Sequence, residues 1–184
     1  MSAESLKDKL DTSSSAREVF DFILERLRGY FVDQGVEPDT FESVLNIKPT
    51  RLLDFSDRIQ AVQKFRSLPE ADSLAAANKR INNILKKAEK LDSNIDSELF
   101  SEAAEHELYK QLTSAENMAA PKFESRHYAE ALTDLAQLRS PIDTFFDDVM
   151  VMDENKNVRN NRIALLAKVN RLFSTVANIS LLQN

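Results

Sequence analysis

The sequence predicts an all-α fold, a helical bundle of about seven helices. Three observations predict it. The 184 residues hold only two glycines and five prolines, too little turn chemistry for a chain of short strands. Apolar residues recur at spacings of three and four along segment after segment, the period of a helix face packed on a core. No strand-like alternation or hairpin signal interrupts that pattern.

The elements follow in order. Residues 1–15 are polar and lack the apolar stretch of a signal peptide, so they read as a disordered leader or the non-native edge of a fragment. Ser15-Ala-Arg-Glu18 has capping-box spacing and starts the first helix, whose stripe is Phe20, Ile23, Leu24, Leu27 and Phe31. Gly35 and Pro38 end it and open a short helix with Phe41, Val44 and Leu45. After Pro49, a third helix carries Leu52, Phe55, Ile59, Val62 and Phe65. Pro69 opens a fourth, in which Leu74, Ala77, Ile81, Ile84, Leu85 and Ala88 share one face.

A fifth helix is expected from Ser97 to Glu116, with Leu99, Ala103, Leu108 and Leu112 inward and its glutamates outward. Ala119-Ala120-Pro121 reads as a loop. Tyr128, Leu132, Leu135 and Leu138 mark a sixth helix. Ser140-Pro141-Ile142-Asp143 then supplies a cap, a proline at the first helical position and an acid at the third. That restart places Ile142, Phe145, Phe146 and Val149 on the core. The loop Asp153-Glu154-Asn155 leads to a last long helix ending near Asn178.

Composition narrows the function. With no cysteine, there is no disulfide framework, thiolate metal site or cysteine nucleophile. No apolar run approaches the roughly 18 residues of a membrane span. The net charge of −6 argues against nucleic acid until its distribution is read. Residues 1–47 carry −5, 48–90 carry +5, 91–155 carry −11 and 156–184 carry +5. Two basic segments flank a strongly acidic one.

Catalytic constellations are missing. A di-iron bundle needs Glu-x-x-His from two helices. Glu124-Ser-Arg-His127 offers one, but His106 has Ala103 at the matching place, so both histidines read as surface or packing residues. Asp143, Asp147 and Asp148 read as a cap and ion-pair partners rather than as acid/base groups. Neither glycine belongs to a phosphate-cradling loop. The pattern is that of a protein that binds. On composition alone, a helical protein-interaction module ranks first, predicting an exposed apolar patch.

Longer stretches carry a resemblance. Tyr128 to Leu138, then Arg139-Ser-Pro141-Ile-Asp143-Thr-Phe145-Phe146-Asp147-Asp148-Val-Met150-Val-Met152, resembles the C-terminal signature of bacterial glycyl-tRNA synthetase β subunits. Arg159-Asn-Asn161-Arg162-Ile-Ala-Leu-Leu166, Leu172-Phe173 and Ile179-Ser-Leu181-Leu182 continue it. Upstream, Asp21 to Tyr30, Phe65-Arg-Ser-Leu-Pro69 and Ala75 to Lys87 are similar to the same family, in the same order. Asn178, where an acid is expected, and lysine within 155–158 are small departures.

The resemblance implies an ATP- and magnesium-dependent, cytoplasmic α₂β₂ ligase whose catalytic core lies mainly on the α subunit. This chain would be a C-terminal piece without catalytic residues or a cofactor of its own. It further implies an anticodon-binding bundle at 68–184, related to that of arginyl-tRNA synthetase. Residues 16–67 would link that bundle to the rest of the β subunit. The implied partners are glycine tRNA and the other subunits, with no membrane and no DNA; the rival reading is a module that docks a subunit without binding RNA.

On that reading, Lys79, Arg80, Lys86, Lys87 and Lys90, on the face of the fourth helix opposite its apolar one, are the expected phosphate contacts. Asn83, inside the stripe, would read a base edge. Each has a bland counterpart, a solvated helix face. On the last helix Arg159, Lys168 and Arg171 point away from the apolar arc and would be freer to meet phosphate. Arg162 falls inside that arc, where a cation needs a partner, and Asp143 or Asp147 is the expected one. Phe123 and Tyr109 are the aromatics most open to stacking on bases.

Overall fold

The computed structural model describes residues 12–88 and 94–182. These form eight α-helices and two short 3₁₀ turns, with no strand among the described residues. The helices are α1 (Thr12–Asp33), α2 (Pro38–Leu45), α3 (Leu52–Arg66), α4 (Ala71–Lys87), α5 (Ala103–Glu124), α6 (Tyr128–Ala136), α7 (Arg139–Asp148) and α8 (Lys156–Ser174). The 3₁₀ turns are Ser97–Leu99, before α5, and Ile179–Leu181, after α8.

One hydrophobic core joins them. It begins with Phe31, Phe41 and Phe55 and continues through Ile59, Phe65 and Leu74 to Leu108, Leu132, Phe145, Leu166 and Phe173. Each such side chain, buried fully, contributes about 1.5–3 kcal/mol relative to exposure. Residues 16–67 share this core with 68–184: Phe65 of α3 meets Phe173 of α8, ring centroids 6.4 Å apart.

A polar clamp reinforces that union. Arg58 of α3 donates to the carbonyl oxygens of Thr175 and Val176, just past the end of α8. The same guanidinium bonds Asp54 at 2.7 Å and the Tyr128 hydroxyl at 2.9 Å. Tyr128 in turn donates to Asp54 at 2.5 Å. Burial alone would raise the Asp54 carboxyl, but Tyr128 and Arg58 together hold it below its ordinary value.

Several boundaries differ from expectation. Helix α1 begins at Thr12 and not at Ser15. Thr12 to Ser15 are all cap-type residues, so the capping-box spacing did not single out one of them. Its core stripe is Leu24, Leu27 and Phe31; Ile23 is exposed, and Phe20 falls outside the described side chains. Leu52 is exposed at the start of α3.

The largest correction concerns α5. Ala119-Ala120-Pro121 is helical, with Pro121 inside the last turn. The missing N–H forfeits one helical bond, yet Ala119 is fully buried and holds the turn in place. Ala103 is exposed while Ala104 and Glu105 are buried with Leu108 and Leu112, so the inward face departs from expectation only in its first turn. Helix α7 starts at Arg139, so Ser140 and Asp143 form no cap. Pro141 becomes its third residue, where an N–H would lack an intrahelical partner anyway. Helix α8 ends at Ser174, and Asn178 turns back to hydrogen-bond the Ser43 carbonyl at 2.8 Å.

Candidate nucleic-acid interface

Helix α4 buries Leu74, Ala75, Ala77, Asn78 and Ile81. The 3.6-residue period then forces Lys79, Arg80, Asn83, Lys86 and Lys87 onto the opposite face, and all five are exposed. Arg80 is steered by α7: its guanidinium lies 4.0 Å above the Phe146 ring centroid. Lys79, Lys86 and Lys87 make no ion pair among the described residues. Lys86 and Lys87 occupy the last turn, where they also complement the helix dipole. Lys90 lies outside the described residues.

On α8 the three expected cations part company. Arg171 is exposed. Lys168 is held 2.7 Å from Glu116 of α5 and lies 5.8 Å from the Tyr109 ring. Arg159 donates to the Asp153 carbonyl at 2.8 Å. Of the three expected to be freer to meet phosphate, Lys168 and Arg159 have partners within the fold. A single helix wheel cannot see an acid or carbonyl supplied by a neighbouring element.

Helices α4 and α8 pack against each other, and Asn82 of α4 accepts a 2.9 Å bond from Asn170 of α8, marking the seam between them. Asp96, beyond α4, bonds Asn161 of α8. At about 100° per residue, Lys86, Lys79 and Asn83 follow Asn82 round α4, as Ser174 and Arg171 follow Asn170 round α8. Asn82 also bonds Ser180 at 2.7 Å, pinning the chain end to this seam.

Beyond Arg171 runs a groove of about 400 Å³ between α5 and α8. Glu116, Ala120 and Phe123 line one wall and Lys168, Arg171, Leu172 and Thr175 the other. Phe123 is half-buried on a helix rather than in a loop. Tyr109 is half-buried too, with its ring against Phe100 at 5.6 Å. Glu116 was not a sequence candidate, because nothing local distinguishes it from the other α5 acids.

Arg162 is 3% exposed, and its partners are not Asp143 or Asp147. It forms a two-pronged pair with Glu105, 3.0 and 3.1 Å, and a third ionic contact with Asp153 at 2.9 Å. The Met150 carbonyl and Ser101 hydroxyl take its remaining hydrogen bonds, at 2.9 and 2.8 Å. Glu105 lies one turn before Leu108 on the inward face of α5, where the expected stripe places Ala103. Burial alone would raise the Glu105 carboxyl; Arg162 and the backbone N–H groups of Ser101 and Glu102 outweigh it and hold it low. Hydrogen bonding to Glu105, against the opposing effect of burial, keeps the Arg162 guanidinium charged. Asp143 bonds Ser73 at 3.3 Å and faces Arg139 at 3.5 Å, while Asp147 is exposed.

His106 is exposed with its ring against Phe100 at 5.1 Å, and His127 is exposed beside Ser125. Among the described residues no three His, Asp or Glu side chains cluster as metal ligands. No described helix is long and apolar enough to cross a membrane.

An all-α bundle whose fourth helix turns a cationic face to solvent fits a class, the helical modules that bind polyanions. The comparison with known families sharpens it: residues 74–180 match the DALR anticodon binding domain, and the chain belongs to that family. The match spans α4 to the final 3₁₀ turn, and so includes both basic faces and the groove. The chain is 49% identical over 180 residues to the glycine–tRNA ligase beta subunit of Pseudomonas aeruginosa (strain LESB58), covering 97% of this chain. Proteins of the same name from Salmonella typhi and Coxiella burnetii (strain Dugway 5J108-111) are each 48% identical, over 96% and 95% of this chain. The chain spans 26% of the length of each of these relatives.

Proposed function

We propose that this chain is the anticodon-binding region of a glycine–tRNA ligase β subunit and grips the anticodon arm of glycine tRNA. The observation that carries the reading is one of position. The anticodon-binding match at 74–180 takes in α4, whose exposed cations lie opposite its buried face, and the exposed Arg171 of α8. Lys79, Arg80, Lys86 and Lys87 neutralise phosphates, which supplies affinity without sequence information. Base recognition then comes from groups beside that track. Asn83 sits within it. The acidic outer face of α7, with Asp143 and Asp147 beside Glu70, borders it and keeps the RNA backbone off that flank.

In this reading ATP, glycine and magnesium serve the whole enzyme, an α₂β₂ assembly of the cytoplasm, and the chemistry belongs to residues outside this chain. A second reading, docking against another subunit without RNA contact, draws on Leu53 and Met150, which are 74% and 75% exposed. Titration of the chain with glycine tRNA, and with the same tRNA carrying a substituted anticodon, separates the two. Anticodon recognition predicts tighter binding of the native tRNA. Failure to bind either tRNA at low salt contradicts it and favours docking.

A further inference from the structure

We infer that the groove between α5 and α8 receives one unstacked nucleobase bearing an exocyclic amino group, with Phe123 as stacking platform and Glu116 and Arg171 as the reading pair. The inference rests on the anticodon-arm reading above and assigns a base to a place on that surface.

Four features support it. The groove holds about 400 Å³, room for a single base but not for a paired duplex, and the exposed Arg171 lines it. Its walls mix apolar surface, from Ala120, Phe123 and Leu172, with charged groups, the combination a base requires on its faces and edge. Phe123 is half-buried, packed against the core and lining the groove. Such stacking platforms hold single-stranded bases whatever their sequence.

The charged groups add selection. Oε2 of Glu116 is engaged by Lys168 at 2.7 Å. Oε1 has no hydrogen-bond partner among the described residues, and the Glu116 side chain is 44% exposed. A carboxylate held this way accepts from an amino group, as acids do from the cytosine amine. Arg171 is exposed and makes no ion pair among the described residues, which leaves its guanidinium to donate to a ring nitrogen or carbonyl on the same edge. Uracil, with a carbonyl where an amino-bearing pyrimidine such as cytosine has its amine, would set oxygen against carboxylate and be rejected. Lys168 balances Glu116, so the groove presents an acceptor without repelling the neighbouring phosphates.

The test is a double-mutant cycle between protein and RNA. The 184-residue chain, as wild type, Phe123→Leu and Glu116→Gln, is titrated with glycine tRNA and with tRNAs carrying uracil at each anticodon position in turn. Leucine preserves the packing of Phe123 and removes only the aromatic face; thermal melts check that both variants fold. Phe123→Leu should weaken native tRNA binding by ~10-fold. At one anticodon position, uracil should cost the wild type ~10-fold and the Glu116→Gln chain much less. Strictly additive losses at every position overturn the groove assignment while the phosphate grip of α4 stands. Full affinity of Phe123→Leu for native tRNA does the same. A wild-type chain that binds no tRNA overturns the anticodon-arm reading and this inference with it.

Discussion

At the residue scale, the Arg162–Glu105 pair shows how a charge comes to lie in a hydrophobic core. Both side chains are almost wholly buried, and every hydrogen-bonding nitrogen of Arg162 is used. Removing one member of a buried pair strands the other, which costs about 3–5 kcal/mol. Glu105→Gln is therefore expected to lower unfolding stability at neutral pH by about that much, read from urea denaturation. The pH dependence has a defined sign. The folded-state carboxyl of Glu105 lies below 4.5, so its contribution is complete above the unfolded-state value. It is lost as pH falls through the lower folded value. The wild type should thus lose stability more steeply than Glu105→Gln as pH drops below about 4.5. Parallel acid curves for the two proteins would show that Glu105 is not the group responsible. That Arg162 needs a carboxylate was legible from its place on the helix wheel. Which carboxylate was not, because Glu105 and Arg162 are 57 positions apart and no local pattern joins them.

At the element scale, two helix ends make the same point with opposite outcomes. Helix α1 closes on Gly35 at φ 81°, with Gly35 N–H on the Val32 carbonyl and Val36 N–H on the Phe31 carbonyl, both 2.9 Å. Helix α5 closes with the same double bond pattern, Arg126 N–H to Phe123 at 3.2 Å and His127 N–H to Lys122 at 2.8 Å. Here the left-handed residue is Arg126, at φ 60°. Glycine advertises such an end in the sequence, and arginine does not. The first terminus was therefore foreseen, while Pro121 drew the second one too early. A side chain in this conformation costs about 1–2 kcal/mol. Arg126→Gly is expected to stabilise the protein by about 1 kcal/mol, a rise of roughly 2–4 °C in melting temperature. A lower melting temperature would mean that the Arg126 side chain contributes more than its backbone conformation costs.

At the scale of the whole molecule, the periodicity of apolar residues made the all-α class and nearly every helix readable. The exposed stripe of α4 was readable for the same reason, since Leu74, Ala77 and Ile81 fix where Lys79, Lys86 and Lys87 must point. What the chain order hid was adjacency. The Asn82–Asn170 seam, the Lys168–Glu116 pair and the α5–α8 groove each join residues 45 to 88 positions apart. No local pattern encodes those meetings. The resulting molecule turns the cations of α4 and Arg171 of α8 to solvent although its net charge is negative. Positive surface of this kind acts on RNA by releasing counterions, so affinity falls with salt in proportion to the phosphates contacted. The most direct measurement is the salt dependence of glycine tRNA binding for the wild type and for Lys86→Glu/Lys87→Glu. The account predicts weaker binding by the variant and a log–log salt slope shallower by about 2, one for each lost phosphate contact. An unchanged affinity and slope would contradict it, leaving the α4 face a solvated surface.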